Sequence, residues 1–260
     1  MIDIIKNRIR QGYRTSKFPD GDPGLPERFR GRPVIKSQLC TVDCAACLDV
    51  CSTSAIVKRE GGSQTVAKQG SLTLDMGRCL FCNECTAACT TGAIVFTKDH
   101  RLAANRREDL LVTSDEVKLA ESLGNEMRRL FGRSLKLRQV SAGGCSACEA
   151  ELTALGNVVF DLGRFGIQFV ASPRHADGLV ITGPVTRNMS EALRLAYAAV
   201  PLPRLVIAVG ACGISGGPFI GSDDHLGGAA SVVPVDLFIP GCPPHPLTIL
   251  DGLLRLLGRL

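Results

Sequence analysis

The sequence predicts two folded units of different class, an α+β unit in the first half and an α/β unit with a parallel sheet in the second. Two observations support this division. A cysteine pattern occurs twice between residues 40 and 95, at a constant offset of 38 residues. From residue 134 onward, short apolar runs alternate with helical patterns. Duplication indicates a module built from repeats, and strand–helix alternation is typical of a parallel sheet covered by helices.

The first 36 residues form a basic arm. They hold nine Lys and Arg against four Asp and Glu, which accounts for the whole net charge of +5. Ile2, Ile5 and Ile9 recur at helical spacing, so we expect a short amphipathic helix within residues 1–16, before an irregular strip rich in Pro and Gly. Such an arm is suited to docking on an acidic partner or a membrane surface, and a solvated tail is the alternative.

The duplicated cysteines, within residues 37–100, predict a ferredoxin-like domain with two iron–sulfur clusters. Each copy has the spacing C-x2-C-x3-C, and a further cysteine precedes it. Three closely spaced thiolates fit around one cluster, and the last cysteine reaches the cluster of the other copy. We therefore assign one [4Fe-4S] cluster to Cys40, Cys44, Cys47 and Cys89, and the other to Cys79, Cys82, Cys85 and Cys51. Zinc is the alternative, because CxxC pairs also bind it.

Two features depart from the usual ferredoxin pattern. Cys40 lies one residue further from its copy of the motif than Cys79 does. Proline does not follow the last cysteine of either copy, and Ser52 and Thr90 stand there instead. We expect the N–H groups or hydroxyls of these two residues to donate to sulfur, which would raise the reduction potential.

Residues 101–133 predict a connector that contains one helix. Ser114 or Asp115 would cap the helix, and Gly132 would end it. His100, at the start of the connector, is expected at the surface. The apolar residues that recur on one face of the predicted helix are Leu119, Leu123, Met127 and Leu130.

Residues 134–260 are expected to form a flavodoxin-like parallel-sheet domain. The pattern predicts strands over 135–140, 167–172, 178–182, 205–209 and 235–239, and helices over 188–200 and 246–259. In sheets of this kind, functional groups gather beyond the carboxyl ends of the strands.

The remaining four cysteines all follow predicted strands. Cys145 and Cys148 follow the first strand, Cys212 follows the fourth and Cys242 follows the fifth. Four thiolates at one edge of one sheet, flanked by glycines that allow close approach of the backbone, predict a third [4Fe-4S] cluster. The alternatives are four unrelated buried cysteines, or a phosphate loop over residues 210–217 that lacks the Lys-Ser/Thr ending of a P-loop.

Composition limits the class of protein. Apolar residues make up 45% and charged residues 21%, as in ordinary soluble globular proteins, and no apolar run approaches the roughly 20 residues that span a bilayer. Trp is absent, Tyr occurs twice, and charges outside the basic arm balance, so we do not expect nucleic-acid binding. Twelve cysteines without a secretion signal predict metal ligands rather than disulfides.

The motifs around the cysteines resemble two subunits of energy-converting [NiFe] hydrogenases of the formate hydrogenlyase type. The first 110 residues are similar to the ferredoxin-like subunit, and the second half resembles the small subunit, so two subunits are joined in one chain. The residues that carry the resemblance are Phe29-Arg30-Gly31-Arg32-Pro33, Gly77-Arg78-Cys79, Gly143-Gly144-Cys145-Ser-Ala-Cys148-Glu149-Ala-Glu151, Arg164-Phe165-Gly166-Ile167, Ser172-Pro173-Arg174-His175-Ala176-Asp177, Gly210-Ala211-Cys212-Gly-Ile-Ser-Gly-Gly217 and Ile239-Pro240-Gly241-Cys242-Pro243-Pro244.

The complex I subunit that carries the terminal cluster is related to the same small subunit. Two adjacent cysteines are expected in that subunit where this chain has Cys145-x2-Cys148. The separated pair therefore favours the hydrogenase branch. A complex I-like quinone or ferredoxin oxidoreductase subunit without nickel is the alternative.

The resemblance implies an electron-transfer subunit with three [4Fe-4S] clusters and no catalytic site of its own. It implies three kinds of partner: a [NiFe] hydrogenase large subunit, an electron-donor oxidoreductase such as formate dehydrogenase, and membrane-arm subunits. These partners would hold the chain in the cytoplasm, on the inner face of the cell membrane. Glu151 matches an acidic family position, where the resemblance implies proton transfer or hydrogen bonding near the third cluster, and a plain carboxylate at a helix N-terminus is the alternative. Arg174 and His175 match a family stretch beside that cluster, where the resemblance implies a cation that raises the reduction potential or a proton-transfer group.

Overall fold

The computed structural model describes residues 2–21, 24–41, 44–59, 71–113 and 118–260. Helix α1 (Ile2–Gln11) is the amphipathic helix expected in the basic arm. The elements that follow it, as far as residue 131, are β1 (Pro33–Ile35), α2 (Ala46–Asp49), β2 (Ile56–Arg59), β3 (Ser71–Asp75), α3 (Glu84–Ala88), β4 (Ile94–Phe96), β5 (Leu111–Val112) and α4 (Asn125–Phe131).

The duplicated cysteine motif lies between two small antiparallel sheets. β1 pairs with β4, with Val34 opposite Val95, and β2, β3 and β5 form a three-stranded sheet in that order. Both copies of the motif carry one short helix, α2 in the first and α3 in the second. The strand before the motif and a strand from the connector therefore complete the fold around the cysteines.

The second half contains the expected parallel sheet. Its elements are β6 (Leu135–Ser141), α5 (Ala147–Ala154), β7 (Ile167–Phe169), β8 (Gly178–Thr182), α6 (Arg187–Ala199), β9 (Leu205–Val209), α7 (Gly210–Ser215), β10 (Leu237–Ile239) and α8 (Pro246–Leu256). The strand order is β7-β6-β8-β9-β10, and all four pairings are parallel. The α/β class expected for this half is confirmed.

Alternate side chains of the strands face two different cores, as the two-residue period of a strand requires. On one face, Leu179 and Ile181 of β8 pack with Leu193 of α6 in the core cluster that also holds the ferredoxin-like residues Leu72 and Leu74. The other core contains Val180 and Val209 from the sheet, with leucines of α5 and α8. The first of these two cores therefore spans the junction between the two halves of the chain.

Polar contacts also cross this junction. The hydroxyl of Ser215, at the end of α7, donates to the carbonyl oxygen of Gly77 at 2.9 Å. Arg107 donates to both carboxylate oxygens of Asp75, at 2.8 and 2.6 Å, and so fixes the turn that contains Gly77. A Cβ atom at Gly77 would lie 2.8 Å from Cγ2 of Ile214, so this glycine allows α7 to approach closely.

The connector differs from the sequence expectation. The helix begins at Asn125 rather than near residue 115, and the predicted caps Ser114 and Asp115 lie outside the described residues. Ahead of the helix, Ala120 N–H donates to the carbonyl oxygen of Ala103, and Leu123 N–H donates to that of Leu256. The backbone of residues 118–124 therefore pairs with other segments rather than with itself. His100 is half-buried rather than at the surface.

Candidate iron–sulfur sites

The first set of four cysteines lines one cavity. Cys40, Cys44 and Cys47 come from the first copy of the motif, and Cys89 comes from the end of the second copy. Cys47 lies inside α2 and is buried, whereas Cys44 is exposed. Burial raises the pKa of the Cys47 thiol, and neighbouring charge on Cys40, Cys89 and Cys44 raises it further.

The second set lines an adjacent cavity. Cys79, Cys82 and Cys85 surround it together with Cys51, the last cysteine of the first copy. Burial raises the pKa of Cys79 to about 12 and that of Cys85 to about 11, and charge on neighbouring thiols of the set adds to both shifts. Buried thiolates need a compensating positive charge nearby, which iron bound to all four would provide.

The two cysteines that reach across to the other copy have matching hydrogen-bond donors. Ala55 N–H donates to Cys51 Sγ and Ala93 N–H donates to Cys89 Sγ, each at 3.2 Å. The hydroxyl of Thr91 lies 3.6 Å from Cys89 Sγ, and that of Thr53 takes the equivalent position 3.9 Å from Cys51 Sγ. These donors lie two and four residues beyond each cysteine.

The sequence predicts sulfur donors one residue beyond each of these cysteines, at Ser52 and Thr90. In the structure a tight turn instead directs the later N–H groups back toward sulfur. Burial alone would raise the pKa of Cys89, but the hydrogen bonds from Thr91 and Ala93 outweigh it and lower the pKa below its ordinary value. The same hydrogen bonds would stabilise a thiolate that binds iron.

The third set lies at the carboxyl edge of the parallel sheet. Cys145 and Cys148 follow β6, Cys212 lies in α7 directly after β9, and Cys242 follows β10. Burial raises the pKa of Cys148 to about 12, and charge on the other three cysteines raises it further. Burial likewise raises the pKa of Cys212 to about 11, with Cys242 and Cys145 contributing. The four thiols therefore lie within electrostatic reach of one another.

Glycines leave room beside these thiols. Gly210 has a φ of 84°, and a Cβ atom there would lie 2.5 Å from Cys148 Sγ. Gly217 has a φ of 55°, and its Cβ atom would lie 2.8 Å from Cys212 Sγ. A side chain at either position would occupy the space that a group held by the thiols needs, so the third set also suits an iron–sulfur cluster.

A carboxylate held by two hydroxyls stands beside the third set. Ser141 Oγ donates to Glu149 Oε1 at 2.6 Å, and Thr182 Oγ1 donates to the same oxygen at 2.7 Å. Burial would raise the pKa of Glu149, but these two hydrogen bonds lower it below its ordinary value. The sequence identifies Glu149 only as part of a motif. The signal for its position is the pair of hydroxyl residues that end β6 and β8 at the same sheet edge.

Glu151 lies near the third set, but Arg174 and His175 do not. Glu151 lines a cavity of about 230 Å³ together with Cys242 and His245, and burial raises its pKa. Arg174 and His175 shortly precede β8, at the amino edge of the sheet. One five-residue strand spans about 16 Å, so the fold does not bring these two residues to the cysteines at the opposite edge.

The three sets lie in series. Charge on Cys47 of the first set raises the pKa of Cys85 in the second set. Charge on Cys82 of the second set likewise raises the pKa of Cys242 in the third. Leu80, in the loop between two cysteines of the second set, lines both the second cavity and the cavity beside Cys242. The second set is therefore the middle one.

The donor chemistry is sulfur only. Each set presents four cysteine thiols, which are the ligands that [4Fe-4S] clusters use. In the part of the chain that the structure describes, no three His, Cys, Asp or Glu side chains are arranged to hold a single metal ion. Within that part, no helix has the length and apolar character needed to cross a membrane.

Two family models match the chain. Residues 39–93 match the 4Fe-4S dicluster domain, and residues 145–256 match the 20 kDa subunit of NADH ubiquinone oxidoreductase. The first match contains all eight cysteines that the sequence assigns to the ferredoxin-like domain. The second match contains the whole third set.

Curated relatives match about half of the chain. It is 39% identical over 150 residues to a probable membrane-bound hydrogenase subunit of Pyrococcus furiosus, which is 58% of this chain and 90% of that protein. It is 47% identical over 139 residues to formate hydrogenlyase subunit 7 of Escherichia coli, 54% of each chain. Identity to a NADH-quinone oxidoreductase subunit of Clostridium beijerinckii is 43% over 118 residues, 45% of this chain and 70% of that protein.

These matches confirm the resemblance inferred from the motifs. A 4Fe-4S dicluster module and a hydrogenase- and complex I-related module, each matched separately, occur in one polypeptide. The chain belongs to the family of the NADH ubiquinone oxidoreductase 20 kDa subunit, and it carries a 4Fe-4S dicluster domain ahead of that family's segment.

Proposed function

We propose that this chain is the electron-transfer subunit of a membrane-associated [NiFe] hydrogenase of the formate hydrogenlyase type. It would pass single electrons between an oxidoreductase donor and the NiFe site of a partner large subunit. The observation that carries the proposal is the serial arrangement of three sets of four thiols, with the middle set close to both others. The membrane-bound hydrogenase subunit and formate hydrogenlyase subunit 7 among its relatives support the same function.

Each set would hold one [4Fe-4S] cluster, which supplies one-electron transfer when bound. The chain's own residues fix where the clusters lie and adjust their surroundings. Backbone N–H groups of Ala55 and Ala93 donate to ligand sulfurs, and the Glu149 carboxylate places negative charge beside the third set. All twelve cysteines are used by the three sets, so this chain has no thiolate left for nickel.

We also propose that the chain is divided into four functional regions. The four regions are a docking arm (1–36), a two-cluster ferredoxin domain (37–100), a connector (101–133) and a proximal-cluster domain (134–260). The last is flavodoxin-like, which the strand order β7-β6-β8-β9-β10 supports, since it corresponds to the order 2-1-3-4-5. The donor would be formate dehydrogenase, and membrane-arm subunits would attach the complex to the inner face of the cell membrane.

A complex I-like oxidoreductase subunit without nickel is the second candidate. The similarity to the NADH-quinone oxidoreductase subunit of Clostridium beijerinckii favours it. The separated pair Cys145 and Cys148 favours the hydrogenase, because the resemblance gives the complex I subunit two adjacent cysteines at this position. The two candidates differ in the partner chain and share the same three sets of ligands.

The intact complex, purified without oxygen, separates the candidates. The hydrogenase proposal predicts a co-purifying large subunit that contains nickel, and hydrogen evolution when reduced donor is supplied. It also predicts about 12 iron and about 12 acid-labile sulfide atoms in this chain. Iron and sulfide without nickel or hydrogen evolution would support the complex I-like candidate, and zinc without iron would reject both.

A set of single substitutions tests the exchange of ligands between the two copies. If Cys89 belongs with Cys40, Cys44 and Cys47, Cys89→Ala removes the EPR signal of the same cluster that Cys47→Ala removes. Cys51→Ala then removes the signal that Cys85→Ala removes. Loss of one signal in both Cys89→Ala and Cys85→Ala would show that each copy binds its own cluster, contrary to the proposal.

A further inference from the structure

Helix α1 has no buried residue in the described structure, although it carries an apolar stripe. Ile2, Ile5 and Ile9 are 68%, 56% and 77% exposed. Large apolar side chains that are exposed together, rather than singly, usually mark a binding surface. The charges around the stripe indicate the chemistry of the partner that would cover it.

Positive charges border the stripe on both sides. At about 100° per residue, Ile2, Ile5 and Ile9 occupy an arc of about 60°. Lys6 lies beside one border of this arc and Arg8 lies beside the other. In a helix that lies in a bilayer surface, apolar side chains enter the acyl region while cations on both borders reach lipid phosphates. The charges on α1 are arranged in this way.

The end of α1 adds an aromatic side chain to the surface. The guanidinium of Arg8 lies 4.4 Å from the ring centroid of Tyr13 and donates to the carbonyl oxygen of Gly12 at 2.8 Å. Tyr13 is exposed. Aromatic rings with a polar tip favour the boundary between apolar chains and water, so Tyr13 is suited to the headgroup level of a bilayer.

The chain after α1 is fixed to the sheet domain. Ser16 N–H donates to the carbonyl oxygen of Val159 at 2.8 Å, and Arg164 donates to the carbonyl oxygens of Ser16 and Phe18, at 2.9 and 2.7 Å. Phe18 is buried in the core. Four residues therefore separate the end of α1 from a rigid attachment point.

The attachment point is itself apolar and exposed. Val158 is 62% exposed, and Val159, which accepts the hydrogen bond from Ser16, is also exposed. These valines lie shortly after α5, the helix that carries Cys148. A surface that bound both α1 and these valines would also fix the distance between that surface and the third set of cysteines.

We propose that α1, together with Val158 and Val159, binds the surface of a bilayer that contains anionic phospholipids. This contact is made by the chain itself and adds to any attachment through partner subunits. It does not depend on which reaction the complex performs. An acidic protein groove is the competing occupant, and the cations on both borders of the isoleucine stripe favour the phosphate plane of a membrane.

Vesicle sedimentation with the full, iron-loaded chain tests the proposal. We expect binding to vesicles of phosphatidylcholine mixed with phosphatidylglycerol, weak binding to pure phosphatidylcholine, and loss of binding as salt increases. Ile5→Asn or Ile9→Asn should each weaken binding about tenfold, because an apolar side chain no longer leaves water. Lys6→Gln should weaken binding to the anionic vesicles about fivefold.

Leu195→Asn is the matched control. Leu195 is 63% exposed on another helix, α6, and lies outside the proposed surface, so this variant should bind vesicles like the unchanged chain. Unchanged iron content in every variant shows that the fold is intact. Equal binding by the Ile9→Asn and Leu195→Asn variants, or no binding of the full chain to anionic vesicles, overturns the proposal.

Discussion

Gly210 directly follows β9, and the backbone of Gly210 lies beside the side chain of Cys148. The φ of 84° at Gly210 disfavours any residue with a side chain, and a Cβ atom at this position would lie only 2.5 Å from Cys148 Sγ. We predict that Gly210→Ala removes the third cluster, lowering iron from about 12 to about 8 atoms per chain. Metal analysis and EPR of the purified protein would measure the loss.

The variant Gly221→Ala is a control that introduces backbone strain without crowding any neighbouring atom. Gly221 has a φ of 93°, so alanine costs about 1 kcal/mol of strain there, as at Gly210, but no atom lies within 4 Å of its Cβ position. This control should keep all its iron. Equal iron content in the two variants would show that space beside Cys148 does not matter.

The half-buried imidazole of His100 makes stability depend on pH. Its Nε2 atom has no hydrogen-bond partner among the described residues, and its ring packs edge-on against Phe18. Burial lowers the pKa of His100, and the nearby carboxylates of Asp251 and Asp99 offset this only in part. Below a pH of about 6.5 the unfolded chain therefore binds a proton that the folded chain resists.

We predict that stability falls as pH decreases from about 6.5 toward the lowered pKa of His100, by at most about 1.4 kcal/mol per pH unit for this residue. His100→Gln should reduce that slope. His175→Gln, which changes an exposed histidine, should leave it unchanged. Thermal unfolding between pH 7 and pH 5 measures the slopes, and equal slopes for both variants would contradict the prediction.

Among the elements, the central strands were predictable because they are apolar throughout. All five residues of β8 and all five of β9 are buried, and both strands have the predicted bounds, 178–182 and 205–209. β7 is shorter than expected, because only residues 167–169 pair with β6. The short strands around the cysteines were not predicted, since they depend on pairings between distant segments, such as Pro33 with Phe96.

Helix α8 contains an ion pair whose carboxylate is buried, so the stability contributed by each partner depends on the presence of the other. Asp251 is 1% exposed, and its carboxylate accepts from Arg255 Nε at 2.9 Å. Removing one partner leaves an uncompensated buried charge, so we predict that Arg255→Met destabilises the chain by about 3 kcal/mol. The double variant Asp251→Leu with Arg255→Met should recover most of this loss, as measured by thermal unfolding.

Helix α6 supplies the control for this pair. Arg194 and Glu191 form an exposed ion pair at 3.6 Å, and Arg194→Met should cost less than about 1 kcal/mol because water screens the charges. If Arg194→Met and Arg255→Met lowered stability equally, burial of Asp251 would not be the cause.

For the whole molecule, the sequence predicts a grouping of the cysteines but not the packing around them. The duplicated motif predicts which thiols share a cluster, because the expected exchange of the last cysteine between copies follows from sequence spacing. The contact of Gly77 with Ser215 and Ile214 joins segments more than 130 residues apart, and no local sequence pattern predicts this contact. The placement of Arg174 at the far edge of the sheet likewise depends on strand direction.

The Gly77 junction lies close in sequence to both the second and the third cysteine sets. Gly77 lies two residues before Cys79, and Ile214 lies two residues after Cys212. A Cβ atom at position 77 would lie 2.8 Å from both Ile214 Cγ2 and the Arg107 guanidinium carbon, so Gly77→Ala must displace these side chains where α7 meets the ferredoxin-like domain. We predict that the variant keeps about 12 iron atoms but passes electrons between the second and third clusters more slowly.

Magnetic coupling between reduced clusters in EPR, and the rate at which the third cluster is reduced through the other two, measure this effect. Gly124→Ala, at a position with no atom within 4 Å of the Cβ, should change neither. Ser215→Ala removes the hydroxyl that donates to the carbonyl oxygens of Gly77 and Ala211 and accepts from Gly217 N–H, each bond worth about 1 kcal/mol. It adds no bulk, so it should have a smaller effect on electron transfer than Gly77→Ala. Full coupling and an unchanged rate in Gly77→Ala would show that electrons pass between the two halves by a route that this junction does not control.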